Sequence, residues 1–387
     1  MNSISLRVSS LIAPLLAIIF VSAIAYPAAA LNYTAKLLQP AGYTSSEANG
    51  NTDLIQAGHL ATGSARHATI WSGTAASAVD IHPAAYLNST INGASGNYQV
   101  GEASGVNTTG NNHAILWNGT AASAVDLHPA TGFTTSTATG VDGTLQVGWG
   151  APQSGGLSLS HAILWHGTAA SAVDLNPPGY LHSFAEDVYG NIQAGWAQAD
   201  VISSMRAFTW TGTAASGTDV TPPSFTSASI RGMWQTNMVG SGAGTPTGNQ
   251  THALLWTDTT PSNVIDLHPA GYTRSEAFEV FGPYQVGMAR GPSTANLDHA
   301  FVWNGSAATA FDLHALVQAI DPTLVHSMAT SVSENGDIVG RAFKANNVPI
   351  AVLWTPVPEP AACYLVACSL IAAAPATIRR RAKKIAL

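Results

Sequence analysis

A tryptophan that recurs seven times at nearly constant spacing constrains this chain more than any other feature. Trp71, Trp117, Trp165, Trp210, Trp256, Trp303 and Trp354 lie 46, 48, 45, 46, 47 and 51 residues apart. The surrounding sequence repeats with them: HATIWSGTAASAVDIHPAAY (67–86), HAILWNGTAASAVDLHPATGF (113–133) and HAILWHGTAASAVDLNPPGY (161–180). A fixed period of this length marks a unit that buries its apolar face only by stacking on its neighbours.

Each unit divides into four short strand candidates. The first follows Gly-Tyr, as in TRSEAFEV (273–280), and the second ends in Gly, as in Tyr98-Gln99-Val100-Gly101. HAILW is the third and SAVDLHP the fourth. Asp142-Gly143 and Asn335-Gly336 punctuate the first junction, and Asn118-Gly119 the third; such pairs between apolar runs are strong hairpin signals. Only Leu313–Ile320 carries a helical period, for one or two turns. Charged residues make up 9% of the chain, far below the roughly 25% of an average soluble protein. Gly, Ser, Thr, Ala and Asn take their place, which suits turns and half-exposed strands.

Four strands per unit, seven times over, predict an all-β fold, a seven-bladed β-propeller. The seventh unit ends after Trp354 without its SAVDLHP strand, and that strand appears at the other end. TAKLLQPAGY (34–43) aligns without gaps to NVIDLHPAGY (263–272), matching at Leu38, Pro40, Ala41, Gly42 and Tyr43. An N-terminal strand closing the last blade removes an open sheet edge, whereas a linear solenoid has no use for a split repeat.

Residues 1–30 read as a signal peptide: Arg7, an apolar run Leu11–Ala25, and small residues Ala28–Ala30 for cleavage. Residues 31–355 form the propeller. Residues 356–387 read as a sorting segment. Val357-Pro358-Glu359-Pro360 precedes an uncharged, mostly apolar stretch, Ala361–Ile378, followed by the basic cluster Arg379, Arg380, Arg381, Lys383 and Lys384. Eighteen such residues just span a bilayer core, and the cluster holds the cytoplasmic side. This order resembles the PEP-CTERM sorting signal, which implies an exosortase as processing partner and a transmembrane helix that anchors the chain transiently in the inner membrane. Cys363 and Cys368 both lie in that stretch, so no disulfide can brace the propeller.

Residues 31–356 hold 8 Lys plus Arg against 20 Asp plus Glu, a net charge of −12. That surface repels nucleic acid. The H-A-x-x-W strand, the hairpin SENGDIVGRA (333–342) and His299-Ala300-Phe301 resemble the extracellular HAF repeat. The resemblance implies an exported, propeller-like protein and brings no catalytic residues with it. Units four and seven depart from the motif, with Arg206 and Ile350 in place of the histidine.

The repeated Trp residues are expected in the core between blades, while Trp149, Trp196 and Trp234 are candidates for exposed contacts. His67, His113, His161, His252 and His299, with Asp80, Asp126, Asp174, Asp219, Asp266 and Asp312, are expected to satisfy backbone groups at the same turn in each blade. Residues repeated by symmetry rarely converge on one catalytic site. A second set, His82, His128, His268 and His314, is placed at one mouth of the ring. No P-loop, G-x-S-x-G or H-E-x-x-H motif occurs, so neither catalytic residues, metal ligands nor a cofactor are assigned. The expectation is a cell-surface or matrix-associated binding or structural protein whose partners are extracellular polysaccharide or surface proteins. The alternative is a hydrolase or lyase acting on such a polysaccharide, for which Glu186, Asp187, Glu276 and Glu279 depart from the repeat and are the first carboxylates to consider.

Overall fold

The computed structural model describes residues 32–153 and 159–357. The segment expected to be a signal peptide and the expected sorting segment from Pro358 onward lie outside these residues. Among the described residues no helix is long and apolar enough to cross a membrane.

Seven four-stranded antiparallel sheets follow one another along the chain. Blade 1 comprises Ser45–Asn51, Gln56–Thr62, Ala65–Trp71 and Val79–Asp80; blades 2 to 6 begin at Asn88, Phe133, His182, Phe225 and Arg274. Blade 7 comprises Leu324–Val332, Ile338–Lys344 and Pro349–Pro356, and its fourth strand is Tyr33–Leu37 from the start of the described chain. Tyr33 pairs with Pro356, Ala35 with Trp354 and Leu37 with Val352. The split repeat is therefore a closed seven-bladed propeller. Asn32 and Val357, the two described ends, are joined by a hydrogen bond from the Val357 N–H to the Asn32 carbonyl at 2.9 Å.

The outer strand is shorter than SAVDLHP suggests. In blade 2 only Val125 and Asp126 pair, because Ala121–Ser123 winds into a 3-10 turn first. Gly119 in the preceding turn has φ +72°, a left-handed conformation that L side chains resist. The one α-helix among the described residues, His314–Gln318, occupies the segment with the helical period.

All seven repeat tryptophans are buried. Each packs on the preceding blade: Trp117 clusters with Ala57, Ala68 and Ile81 of blade 1, and Trp165 with Val100 and Leu127 of blade 2. Trp71 closes the circle against Val339, Ala351 and Leu353 of blade 7. Removing one such ring to alanine typically costs about 3–5 kcal/mol.

A second repeated device crosses six of the seven seams; between blades 4 and 5, Thr221 Oγ1 instead accepts the Ala207 N–H within blade 4. His113 Nδ1 lies 2.8 Å from Asp126 Oδ2, and Asp126 Oδ1 accepts the His128 N–H at 2.8 Å. His128 stacks on His113 with centroids 3.9 Å apart. In blade 1, His82 Nε2 faces the Tyr86 carbonyl, which can only accept. Nε2 therefore carries the proton, and Nδ1 accepts from Ser89 Oγ at 2.7 Å. Ser89, on blade 2, in turn accepts the Ala68 N–H of blade 1. Asn176 confirms the polarity, since its Nδ2 donates to the Tyr180 carbonyl and its Oδ1 accepts from Ser183 Oγ. In blade 4, Arg206 takes the histidine's place and its Nε donates to Asp219 Oδ2 at 2.9 Å.

Candidate functional site: the two mouths of the central channel

The inner strand of every blade carries a β-bulge at one equivalent position, such as Ala48/Gly50 in blade 1 and Ala185/Asp187 in blade 4. The extra residues, Asn49, Asn92, Thr139, Glu186, Arg231, Phe278 and Thr330, bring side chains that ring the channel. Asn49 donates to the Ile91 carbonyl, Asn92 to Ala138, Thr139 to Ala185 and Thr330 to Ala48, each on the next blade. Between blades 4 and 5 an ion pair takes over, with Arg231 Nη1 at 2.7 Å from Glu186 Oε1. Phe278 makes no such bond among the described residues.

The residue after the bulge is glycine in four blades: Gly50, Gly93, Gly140 and Gly232. In the others it is Asp187, Glu279 and Ser331. The two carboxylates line the cavities at both ends of the channel, so they mark its waist. Asp187 Oδ1 accepts the Val188 N–H and Oδ2 the Met233 N–H of blade 5, both at 2.8 Å. Glu279 Oε1 accepts the Val280 N–H at 2.7 Å. Burial pushes the Asp187 carboxyl up to about 7 against the pull of its two backbone donors. Burial, then the charge of Asp187, holds Glu279 well above the usual carboxylate range.

One mouth opens into a cavity of about 550 Å³ with a charged wall. Glu47 is ion-paired with Arg341, Glu186 with Arg231, and Glu102 accepts from Thr137 Oγ1 at 2.7 Å. His59 lines this cavity at 4% exposure, its Nδ1 without a hydrogen-bond partner among the described residues, and burial holds its imidazole neutral by lowering its pKa to about 4. Arg66 stands at the rim with no carboxylate in ion-pair reach among the described residues. On blades 3 and 4, next to Glu186, Phe184 stacks on Trp196 at 4.2 Å and meets Trp149 at 5.2 Å, and Trp196 Nε1 donates to Glu186.

The other mouth, a cavity of about 360 Å³, is ringed by the turns between first and second strands. Trp234 lies there against Phe281 at 5.1 Å.

The structure thus brings Glu186, Asp187 and Glu279 together and leaves Glu276 apart, ion-paired with Arg274. The placement of His82, His128, His268 and His314 at a channel mouth is corrected: none lines either cavity, because each is drawn into the seam by stacking on the first histidine and bonding serine. His59, Arg66, Arg231 and Arg341 escaped the sequence reading. Each occurs in one blade only, so repetition gave no signal for them. Glu47 could have been found as a carboxylate at the position of Glu276.

No family model matches this chain, and neither does any curated protein. Among solved structures it is similar in fold to an oligogalacturonate lyase in complex with manganese, at 11% identity and a TM-score of 0.49 over 85% of this chain and 97% of that one. A puromycin hydrolase matches at 12% identity, TM-score 0.40, over 78% and 58%. A TolB-like protein of Agrobacterium tumefaciens matches at 11%, TM-score 0.38, over 84% and 99%.

Proposed function

We propose that this chain is an exported propeller, displayed at the cell surface or in the matrix after exosortase handling of its Val357-Pro358-Glu359-Pro360 tail, and that it binds an extracellular polysaccharide or surface protein at the charged mouth. The observation that carries the binding role is that the three carboxylates peculiar to that mouth are all engaged, Glu47 and Glu186 each by an arginine and Glu102 by Thr137 Oγ1. A general acid or base needs a group free to exchange its proton, whereas a fixed, ion-paired wall with an unpartnered imidazole suits recognition. The adjacency of Asn32 and Val357 places both ends of the propeller at one outer edge, away from the channel axis, so a tether there leaves both mouths open.

A second reading, a hydrolase or lyase acting on polysaccharide, is favoured by one observation. Asp187 and Glu279 replace the glycine found at the equivalent position of four other blades, and both line the channel waist, where burial raises both carboxyls, Asp187 to about 7.

Incubating the protein with a panel of neutral and acidic polysaccharides separates the two. Binding in calorimetry with unchanged polymer length supports the binding protein. Shortening of the polymer that disappears in Glu186→Gln or Asp187→Asn would replace it with the enzyme.

A further inference from the structure

We propose that the turn-side mouth and the channel waist form a site for a hard divalent cation of the calcium class. Five carboxylates line this cavity, Asp53, Asp142, Asp187, Glu279 and Glu334, and among the described residues no Lys, Arg or His does. The opposite mouth has the contrasting composition, with Arg66, Arg231 and Arg341 in its wall. Uncompensated negative charge inside low-dielectric walls concentrates cations.

An independent feature points the same way. Asn51 and Ser333 line the same cavity at 6% and 2% exposure, and Asn51 Oδ1 and Ser333 Oγ have no hydrogen-bond partner among the described residues. An amide oxygen can only accept, so Asn51 Oδ1 awaits a donor or a cation. The Asn51 amide is held in place, because its Nδ2 donates to the Asp337 carbonyl at 2.6 Å. Buried oxygens of this kind are rarely left orphaned.

The donors are carboxylate, amide and hydroxyl oxygens, the set that suits calcium or magnesium rather than zinc or copper. No three of the described His, Cys, Asp and Glu side chains converge as a ready cage. The cation therefore keeps part of its water shell, and its affinity falls in the range of about 10⁻⁴–10⁻³ M found for extracellular modules. Asp187 and Glu279, each already fixed by backbone donors, supply the charge at the waist once the cation takes the place of their protons. This site shares the waist carboxylates Asp187 and Glu279 with the mouth assigned to ligand binding above, but Asn51 and Ser333 line the turn-side cavity alone, and cation and polysaccharide binding are read by different assays, so either can fail without the other.

The test is thermal unfolding of the full chain after chelator treatment, with and without 5 mM calcium or magnesium chloride (about ten times the expected dissociation constant). Calcium should raise the midpoint by roughly 2–4 °C. Terbium should emit on tryptophan excitation, sensitised by Trp234 in the cavity wall, and calcium should quench that emission. Asp187→Asn and Glu279→Gln should each abolish the calcium shift, while Asp258→Asn, on an exposed loop, should keep it. Should one buried variant fail to fold, the other decides. Absence of both the shift and the terbium signal in the unaltered chain, or an undiminished shift in the folded waist variants, overturns the proposal.

Discussion

Asp187 fills the space that Gly140 leaves on the neighbouring blade. A Cβ built on Gly140 would lie 2.7 Å from Asp187 Oδ1 and 2.8 Å from its Cα, and one built on Gly232 would lie 2.6 Å from Glu279 Oε1. Glycine in one blade thus admits a carboxylate in the next, and the channel's asymmetry is built from two such pairs. Because backbone as well as side chain is in the way, Gly140→Ala should destabilise by about 1–3 kcal/mol through overpacking. Denaturant unfolding reads this directly, and a variant as stable as the parent would remove the close fit.

The seam relay has a cost that can be measured. Ser136 Oγ accepts the Ala114 N–H at 3.0 Å and meets His128 Nδ1 at 2.9 Å. Ser136→Ala leaves a buried N–H and an imidazole nitrogen without partners, a loss of about 1–3 kcal/mol. Chemical denaturation of this variant beside an exposed control, Ser72→Ala, gives the number.

Protonation of the second histidines should loosen the ring. Burial, then the neighbouring first histidine, lowers the pKa of His82, His128 and His268, and that of His314 to about 4. A base held neutral in the fold takes up its proton first in the unfolded chain. The stability it supplies is therefore full above about pH 6.5 and is lost as pH falls toward 4. Unfolding free energy measured from pH 7.5 to 4.5 should decline, and four-fold replacement of these residues by asparagine, which Asn176 already mimics, should flatten the decline.

Asp187 acts in the opposite sense. Its raised pKa means the folded chain holds a proton that the unfolded chain has released, so its contribution is present below about pH 4 and is lost as pH rises through about 7. Subtracting the profile of Asp187→Asn from that of the parent should leave a difference that favours the parent most at acid pH. A difference that is flat across this interval would mean the carboxyl titrates normally.

The blade count and the split repeat were legible because seven copies of one pattern reinforce weak strand signals. Trp71 and its counterparts mark the third strand in every blade, and the match of Leu38 to Leu267 identified the closing strand. Glu186, Asp187 and Glu279 stood out by breaking the pattern. That Asp187 and Glu279 share the waist while Glu186 lines the charged mouth could not be read from sequence, since it depends on the bulge in each inner strand. The seam histidines were misplaced for a related reason. A His before Pro at a strand exit gives no hint that stacking on His67 or His113 holds it between blades. The mouth residues His59, Arg66 and Arg341 are single occurrences, and only ring closure brings Arg341 of blade 7 to Glu47 of blade 1.

Everything assigned to the channel rests on that closure, and one crosslink tests it. Thr34 and Thr355 are register partners across the closing strand pair, and antiparallel partners lie within the Cα separation a disulfide needs. With Cys363 and Cys368 replaced by serine, Thr34→Cys with Thr355→Cys should oxidise quantitatively within one chain and raise stability by up to about 5 kcal/mol. Free thiols under oxidising conditions, or crosslinks only between chains, would contradict a ring closed by its own N-terminal strand.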